Sequence, residues 1–314
     1  MKKYFLSFAI TLLVFFAKSQ NVTTENGMIK FNSIANYTYY ADDSVNKLAL
    51  KSFSDNSTVN TLSKQPQAVD EEIVPLFLQQ LLNTDNMVVM GNYLVKFDFA
   101  NNRALIINKN TSDALTALQN NNTNQAGVMV LGFDDGYEGV EIFEGLENGT
   151  INESNYTNFI SPAAVQGRCK MADKDKDHSE LIWSTLKMHE HFLEGYNHDY
   201  QAKYKYDYKL VYQGFIFYFQ IFAKSKCRTS MDNVFTHEIK KDMHITGILK
   251  YDIRCRGELT ISHDFTEFTR VSDWVPYSGS RSLNKYDFNV DFQTKHAWES
   301  TYNHTKPLRI VFGY

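Results

Sequence analysis

Lys203-Tyr204-Lys205-Tyr206-Asp207-Tyr208-Lys209-Leu210-Val211-Tyr212-Gln213 alternates with a period of two. Tyr204, Tyr206, Tyr208, Leu210 and Tyr212 fall on one side. Lys203, Lys205, Asp207 and Lys209 fall on the other. Successive side chains of a strand point to opposite faces, so this spacing predicts a strand with one face in a core and one in water. Antiparallel sheets tolerate such one-sided cover, whereas parallel sheets bury both faces. The same texture recurs downstream. Gly214 marks a turn or a bulge. Phe215, Phe217, Phe219, Ile221 and Ala223 make the next inward row. Tyr251, Ile253 and Cys255 alternate with Lys250, Asp252, Arg254 and Arg256, and residues 259–271, 286–292 and 308–312 continue the series. Residues 161–314 therefore read as a mostly antiparallel β domain, sandwich-like or a curved sheet.

Upstream the pattern is mixed, and residues 20–160 read as a small α+β module. Met28 to Phe31 reads as a strand. Ser33 is placed to cap a helix carrying Tyr37, Tyr40, Val45, Leu48 and Leu50. Residues 56–67 are polar and read as a loop. Asp70-Glu71-Glu72 opens a second helix, since carboxylates suit a helix amino terminus and Pro75 is tolerated in a first turn. Residues 87–90 and 93–99 read as strands, Asn101-Asn102 as a turn, and 103–107 as the returning strand. A short helix after Ser112 or Asp113, a strand over 128–133 and another over 140–143 follow. Residues 144–158, rich in Gly and Asn, read as the link between the halves. The fold class is thus α+β.

The first nineteen residues have a different character. Lys2 and Lys3 precede an apolar run from Tyr4 to Phe16, and Ala17-Lys18-Ser19 offers a small-x-small exit. That is the pattern of a secretory signal, and the run is too short to span a bilayer. The expectation is an exported chain beginning at Gln20, in the periplasm, on the cell surface or in the medium. No later segment has the length of a membrane helix. A net charge of −4 argues against nucleic-acid binding. Nine Asn-x-Ser/Thr triplets occur, which read either as glycan acceptors of a eukaryotic secretory pathway or as the chance product of abundant Asn and Thr.

Two stretches carry a resemblance. One is Gly27-Met28-Ile29-Lys30-Phe31-Asn32-Ser33. The other is Leu81-Leu82-Asn83 followed by Val88-Val89-Met90-Gly91-Asn92-Tyr93-Leu94-Val95-Lys96. Together they resemble the amino-terminal region of uncharacterised exported proteins of the Bacteroidota. Val211-Tyr212-Gln213-Gly214 before an aromatic strand is similar to the same group, more weakly. The resemblance implies a bacterial envelope or secreted protein and brings no activity with it.

Chemistry-bearing residues are few. His189 and His191 share a face if their segment is a strand, and His198 with Asp199 follows closely. These three histidines are the candidate metal ligands, although the spacing is not the His-Glu-x-x-His of a helix. Asp173, Asp175 and Asp177 alternate like the start of a calcium loop, but His178 and Ser184 stand where Gly and Glu are needed. No Gly-x-Ser-x-Gly elbow and no phosphate loop occur, and no cofactor is implied. Trp274, Tyr277, Tyr286 and Trp298 lie in edge- or loop-like segments and are candidates for a sugar-stacking platform. Export favours disulfides, and three cysteines leave one over. If 215–227 and 244–256 pair as a hairpin, Cys227 and Cys255 lie at opposite ends, too far apart to bridge. Cys169 with Cys227 or Cys255 is the expected pair. The functional expectation is an exported binding or structural protein for a glycan, a protein partner or an envelope component. The alternative is an exported hydrolase, metal-dependent if the histidines converge.

Overall fold

The computed structural model describes residues 22–67, 69–70, 73–133, 139–160, 186–189, 199–230, 237–238, 241–253, 258–269, 271–295 and 304–312. The chain divides into two compact units. The first runs to Lys170 and also takes Gly214–Tyr218 and Gly279–Arg281. The second takes the remainder.

The first unit is built on one six-stranded sheet: β1 (Val22–Glu25), β2 (Met28–Phe31), β3 (Met87–Met90), β4 (Tyr93–Asp98), β5 (Arg103–Asn108) and β6 (Met129–Gly132), in that spatial order. β2 and β3 are parallel and the other neighbours antiparallel. Both faces are buried. On one, Met28, Met87, Val89, Leu94, Leu105 and Ile107 pack with Ala114 and Leu118. Those last two lie on helix α4 (Ala114–Gln119). The other face carries Phe31, Val88, Val95, Phe97, Ile106 and Leu131. It packs with buried residues of α1 (Ile34–Ala41), α2 (Ser44–Asn56), α3 (Leu76–Leu81) and α5 (Gly139–Asn148). A four-residue α6 (Thr157–Ile160) follows.

Local chemistry explains the boundaries. The Ser33 hydroxyl accepts from the Asn36 amide at the start of α1, as its position in the sequence suggests. Asn102 closes the β4–β5 connection at φ 50°, ψ 47°, a conformation Asn tolerates. Lys96 is almost wholly buried, and its Nζ donates to the Leu118 and Gln119 carbonyls. It so adds a charged donor at the last carbonyls of α4, where the Asn121 amide also donates to the Leu118 carbonyl at 3.0 Å.

Three readings change. The helix expected from Ser33 through Leu50 is two helices, because Asp42-Asp43 interrupts it and Asp43 caps α2 through its carboxylate. The helix expected from Asp70 begins only at Leu76, with Pro75 in the capping position; Pro pushes the preceding residue out of helical conformation. Residues 140–143 are helical, not extended. Val140, Phe143 and Leu146 are all buried at a spacing of three, which continues α5 beyond the four residues that suggested a strand.

The segment Gly214–Tyr218 completes the core of this unit. Phe215, Ile216, Phe217 and Tyr218 are all buried there. The Phe217 ring meets Phe143 edge-on at 5.0 Å, Phe97 at 5.8 Å and Tyr37 at 6.3 Å between centroids. The Tyr37 hydroxyl donates to the Phe217 carbonyl at 3.0 Å, and the Gly139 amide donates to the Ile216 carbonyl at 3.0 Å. The chain reverses here through a Phe217 N–H to Phe215 carbonyl bond of 2.7 Å, with Ile216 at φ 67°. A positive φ at a β-branched residue is strained, and this form of the γ-turn is the rarer one. Phe215 and Phe217 therefore do not continue the inward row that Phe219, Ile221 and Ala223 make in the second unit.

The second unit holds two antiparallel sheets. One contains β7 (Leu186–His189), β8 (Asp199–Gly214), β9 (Phe219–Ser230) and β10 (His237–Glu238) in the order β10-β9-β8-β7. The other contains β11 (Lys241–Ile253), β12 (Glu258–Thr269), β14 (Leu283–Lys295) and β15 (His304–Phe312) in the order β12-β11-β14-β15. β13 (Val271–Gly279) joins β9. One core draws on both sheets: Tyr208, Leu210, Tyr212, Phe219 and Ile221 from one, Ile245, Leu249, Phe288, Val290 and Phe292 from the other. Of the alternating row in β8, Tyr208, Leu210 and Tyr212 lie in this core, while Asp207 on the opposite face is also buried. The hairpin assumed for 215–227 and 244–256 does not form, since β9 pairs with β8, β10 and β13 while β11 pairs with β12 and β14.

Phe217→Ala should lower the unfolding free energy of the first unit by about 3–5 kcal/mol. Gly139→Ala should cost about 1–3 kcal/mol, because a Cβ there would lie 2.2 Å from Ile216 Cγ2 and 2.5 Å from its carbonyl oxygen. Urea titration read on that unit checks both. Losses below about 0.5 kcal/mol, the range of ordinary surface substitutions, would show that the segment does not close the core.

Candidate functional site

His189 ends β7 and lies in register with Asp199 of β8. His191 and His198 lie outside the described residues, as do Asp173, Asp175 and Asp177. Among the described residues no three His, Cys, Asp or Glu side chains come together to hold a metal ion. Cys227 is fully buried in the second core, and Cys169 and Cys255 lie outside the described residues.

The expected aromatic platform is not a surface feature. Trp274, Tyr277 and Tyr286 are 8%, 9% and 4% exposed and belong to the core of the second unit; Trp298 lies outside the described residues. For Trp274 the close fit is at Gly247 on β11. A Cβ there would lie 2.7 Å from Trp274 Cζ3 and 2.8 Å from the Asn289 carbonyl. Trp274 thus lies close over the bare backbone of β11, with His263 stacked on it at 4.7 Å and 10°. A strand glycine often marks such close approach of a neighbour.

What the second unit does present is the other face of the β12-β11-β14-β15 sheet. Its registers align four cross-strand rows of outward residues. They are Thr260–Lys250–Asp287–Val311, Ser262–Ile248–Asn289–Arg309, Asp264–Thr246–Asp291–Pro307 and Thr266–His244–Gln293–Thr305. Directly opposite residues of antiparallel strands share a face, so hydroxyls, amides and carboxylates are spaced along the strands and across them. Ion pairs fix parts of it. Arg309 grips Asp287 with two bonds of 2.7 Å, which holds the Asp287 carboxyl below the usual carboxylate range. His244 Nε2 meets Asp264 Oδ1 at 2.7 Å. Gln293 donates to Asp291 Oδ2, while Asp291 Oδ1 is sequestered with no hydrogen-bond partner among the described residues. Apolar groups stand among these polar ones: Ile248 is 47% exposed, and Phe268 at the β12 end is 56% exposed. The face offers hydrogen-bonding groups at fixed spacing beside exposed apolar groups. That suits a flat, extended, polyhydroxylated or amide-bearing ligand.

The first unit holds the most perturbed amine described. Lys47 of α2 places Nζ 5.6 Å from the centroid of the Tyr218 ring, which is itself stacked on Phe77 at 4.8 Å. Burial pulls the Lys47 ammonium down to about 8, against the opposing pull of Asp42 and Asp43. Asp42 also accepts from the Ser280 amide and hydroxyl at 2.6 and 3.0 Å. Perturbed groups cluster at functional sites, and they also occur where a lysine stem covers aromatic surface. Here the geometry is the second kind.

Comparison with protein-family models, curated proteins and solved structures gives no match. The outward sheet face therefore carries the functional reading by its own chemistry.

Because Lys47 holds its proton less firmly folded than unfolded, folding releases a proton between about pH 8 and the ordinary lysine value of 10.5. Stability should rise with pH across that window and not below it. Lys47→Met should raise the melting temperature at pH 7 and flatten the rise. Calorimetry at several pH values tests this; a variant that melts lower at pH 7 would mean the cation–ring contact outweighs desolvation.

Proposed function

We propose that this is an exported bacterial binding protein, without catalytic activity of its own, whose second unit holds an envelope or environmental polysaccharide on the outward face of β12, β11, β14 and β15. One observation carries the reading. Four registered strands set Thr, Ser, Asn, Asp and Gln side chains in rows, with Ile248 and Phe268 exposed beside them. A sugar chain presents hydroxyls on its edges and apolar C–H surface on its faces. Such a ligand takes polar groups at its rim and an apolar contact in its plane. A strand scaffold keeps these groups fixed, so little ordering entropy is lost on binding. The amino-terminal signal pattern supports export. The resemblance of the first half to exported proteins of the Bacteroidota supports an envelope setting.

Affinity electrophoresis through gels containing single soluble polysaccharides tests the reading. At least one polysaccharide should retard the protein. Phe268→Ala should weaken that retardation about fivefold, in line with the ~1 kcal/mol cost of losing an aromatic contact. Amino-terminal sequencing of the recovered protein should begin at Gln20. No retardation by any polysaccharide of a broad panel, or recovery of the uncleaved chain from the cytoplasm, overturns the proposal.

A further inference from the structure

The two edges of the β12-β11-β14-β15 sheet are built differently. Edge strands threaten unwanted pairing, and proteins guard them with Lys, Pro, bulges or short length. β15 is guarded: Lys306, Pro307 and Arg309 lie within its nine residues. β12 is not. It runs twelve residues, holds no Lys, Arg, Pro or Gly, and pairs with β11 over its full length without a register shift. No residue of it is buried, and Leu259, Phe265 and Phe268 are about half exposed. Among the described residues no strand lies on its other side.

We propose that β12 pairs antiparallel with β12 of a second copy of this chain, joining two four-stranded sheets into one of eight. The sequence of the strand selects that occupant. In the register centred on Phe265, that ring faces the partner's Phe265. His263 then faces the partner's Glu267, and the two-fold axis repeats that pair. Asp264 faces the partner's Thr266, and Ile261 faces the partner's Thr269. No two carboxylates stand opposite each other. Centring the pair on Asp264 or on Glu267 would oppose like charges, which destabilises a cross-strand pair. Aromatic and opposite-charge pairs are the contacts that stabilise neighbouring strands. A two-fold axis uses the same edge on both copies and closes the assembly, so the guarded β15 edge suits its place at the outside. This pairing stands apart from any ligand on the sheet face.

Analytical ultracentrifugation of the purified protein, with hydrogen exchange at low and high concentration, tests the proposal. The protein should weigh twice the monomer mass at tens of micromolar, and β12 amides should exchange more slowly at the higher concentration. Glu267→Lys and Phe265→Lys change exposed side chains, so both variants should keep the wild-type circular dichroism. Each should weaken the dimer at least tenfold and abolish the concentration-dependent protection. A monomer at every concentration overturns the proposal. So does a dimer indifferent to both substitutions, or a β12 already protected in the monomer by another part of its own chain.

Discussion

Everything in the first unit leans on the seating of one short reversal. Ile216 and Phe217 close the aromatic core between Tyr37, Phe97 and Phe143. The reversal holds Ile216 at φ 67°, a conformation that costs of order 1–3 kcal/mol. Burial of four large apolar side chains offsets that cost, at roughly 1.5–3 kcal/mol for each. Two further constraints hold it in place. Gly139 must lack a side chain for the backbone to approach, and Tyr37 must aim its hydroxyl at the Phe217 carbonyl. Burial keeps that hydroxyl protonated, pushing its ionisation well above the ordinary tyrosine value.

The second unit relies on a different device. Its strands are long, and their alternation sorts side chains into a core row and a solvent row. Gly247 then lets Trp274 press against the β11 backbone and fill the interior. With the aromatic mass drawn inward, the outward face is left to small polar residues and paired charges. That division gives the sheet a surface able to hydrogen-bond over a broad area.

The antiparallel half was legible because a period of two has one structural meaning over eleven residues, as 203–213 does. Caps and turns were legible where a single side chain settles them, as at Ser33 and Asn102. Residues 140–143 were not, since four residues cannot separate a period of two from one of 3.6. The Phe215–Tyr218 reversal was hidden for a related reason: its aromatics extend the alternation of the strands on either side while belonging to another core. Trp274, Tyr277 and Tyr286 looked exposed because polar and turn-forming residues flank them. Only the packing of β13 onto β11 and β14, with Trp274 over Gly247 and against Phe288, reveals where the Trp274 ring goes. The candidate face was half legible. Lys250 was visible as an outward residue, whereas Asp252, two positions on, is buried; strand order decides which rows stand side by side, and strand order has no local signature.

The make-up of the first unit bears on the order in which this polypeptide matures. Tyr37 waits for a partner 180 positions away, and Asp42 for one 238 positions away. Domains usually finish in the order they leave the ribosome. Here the leading portion stays incomplete until the segment around Ser280 has emerged, and contacts of such separation form slowly. The nascent chain thus spends its synthesis as an unfinished body with open apolar surface. Such a chain depends on holdase protection during that interval far more than one assembled from consecutive pieces.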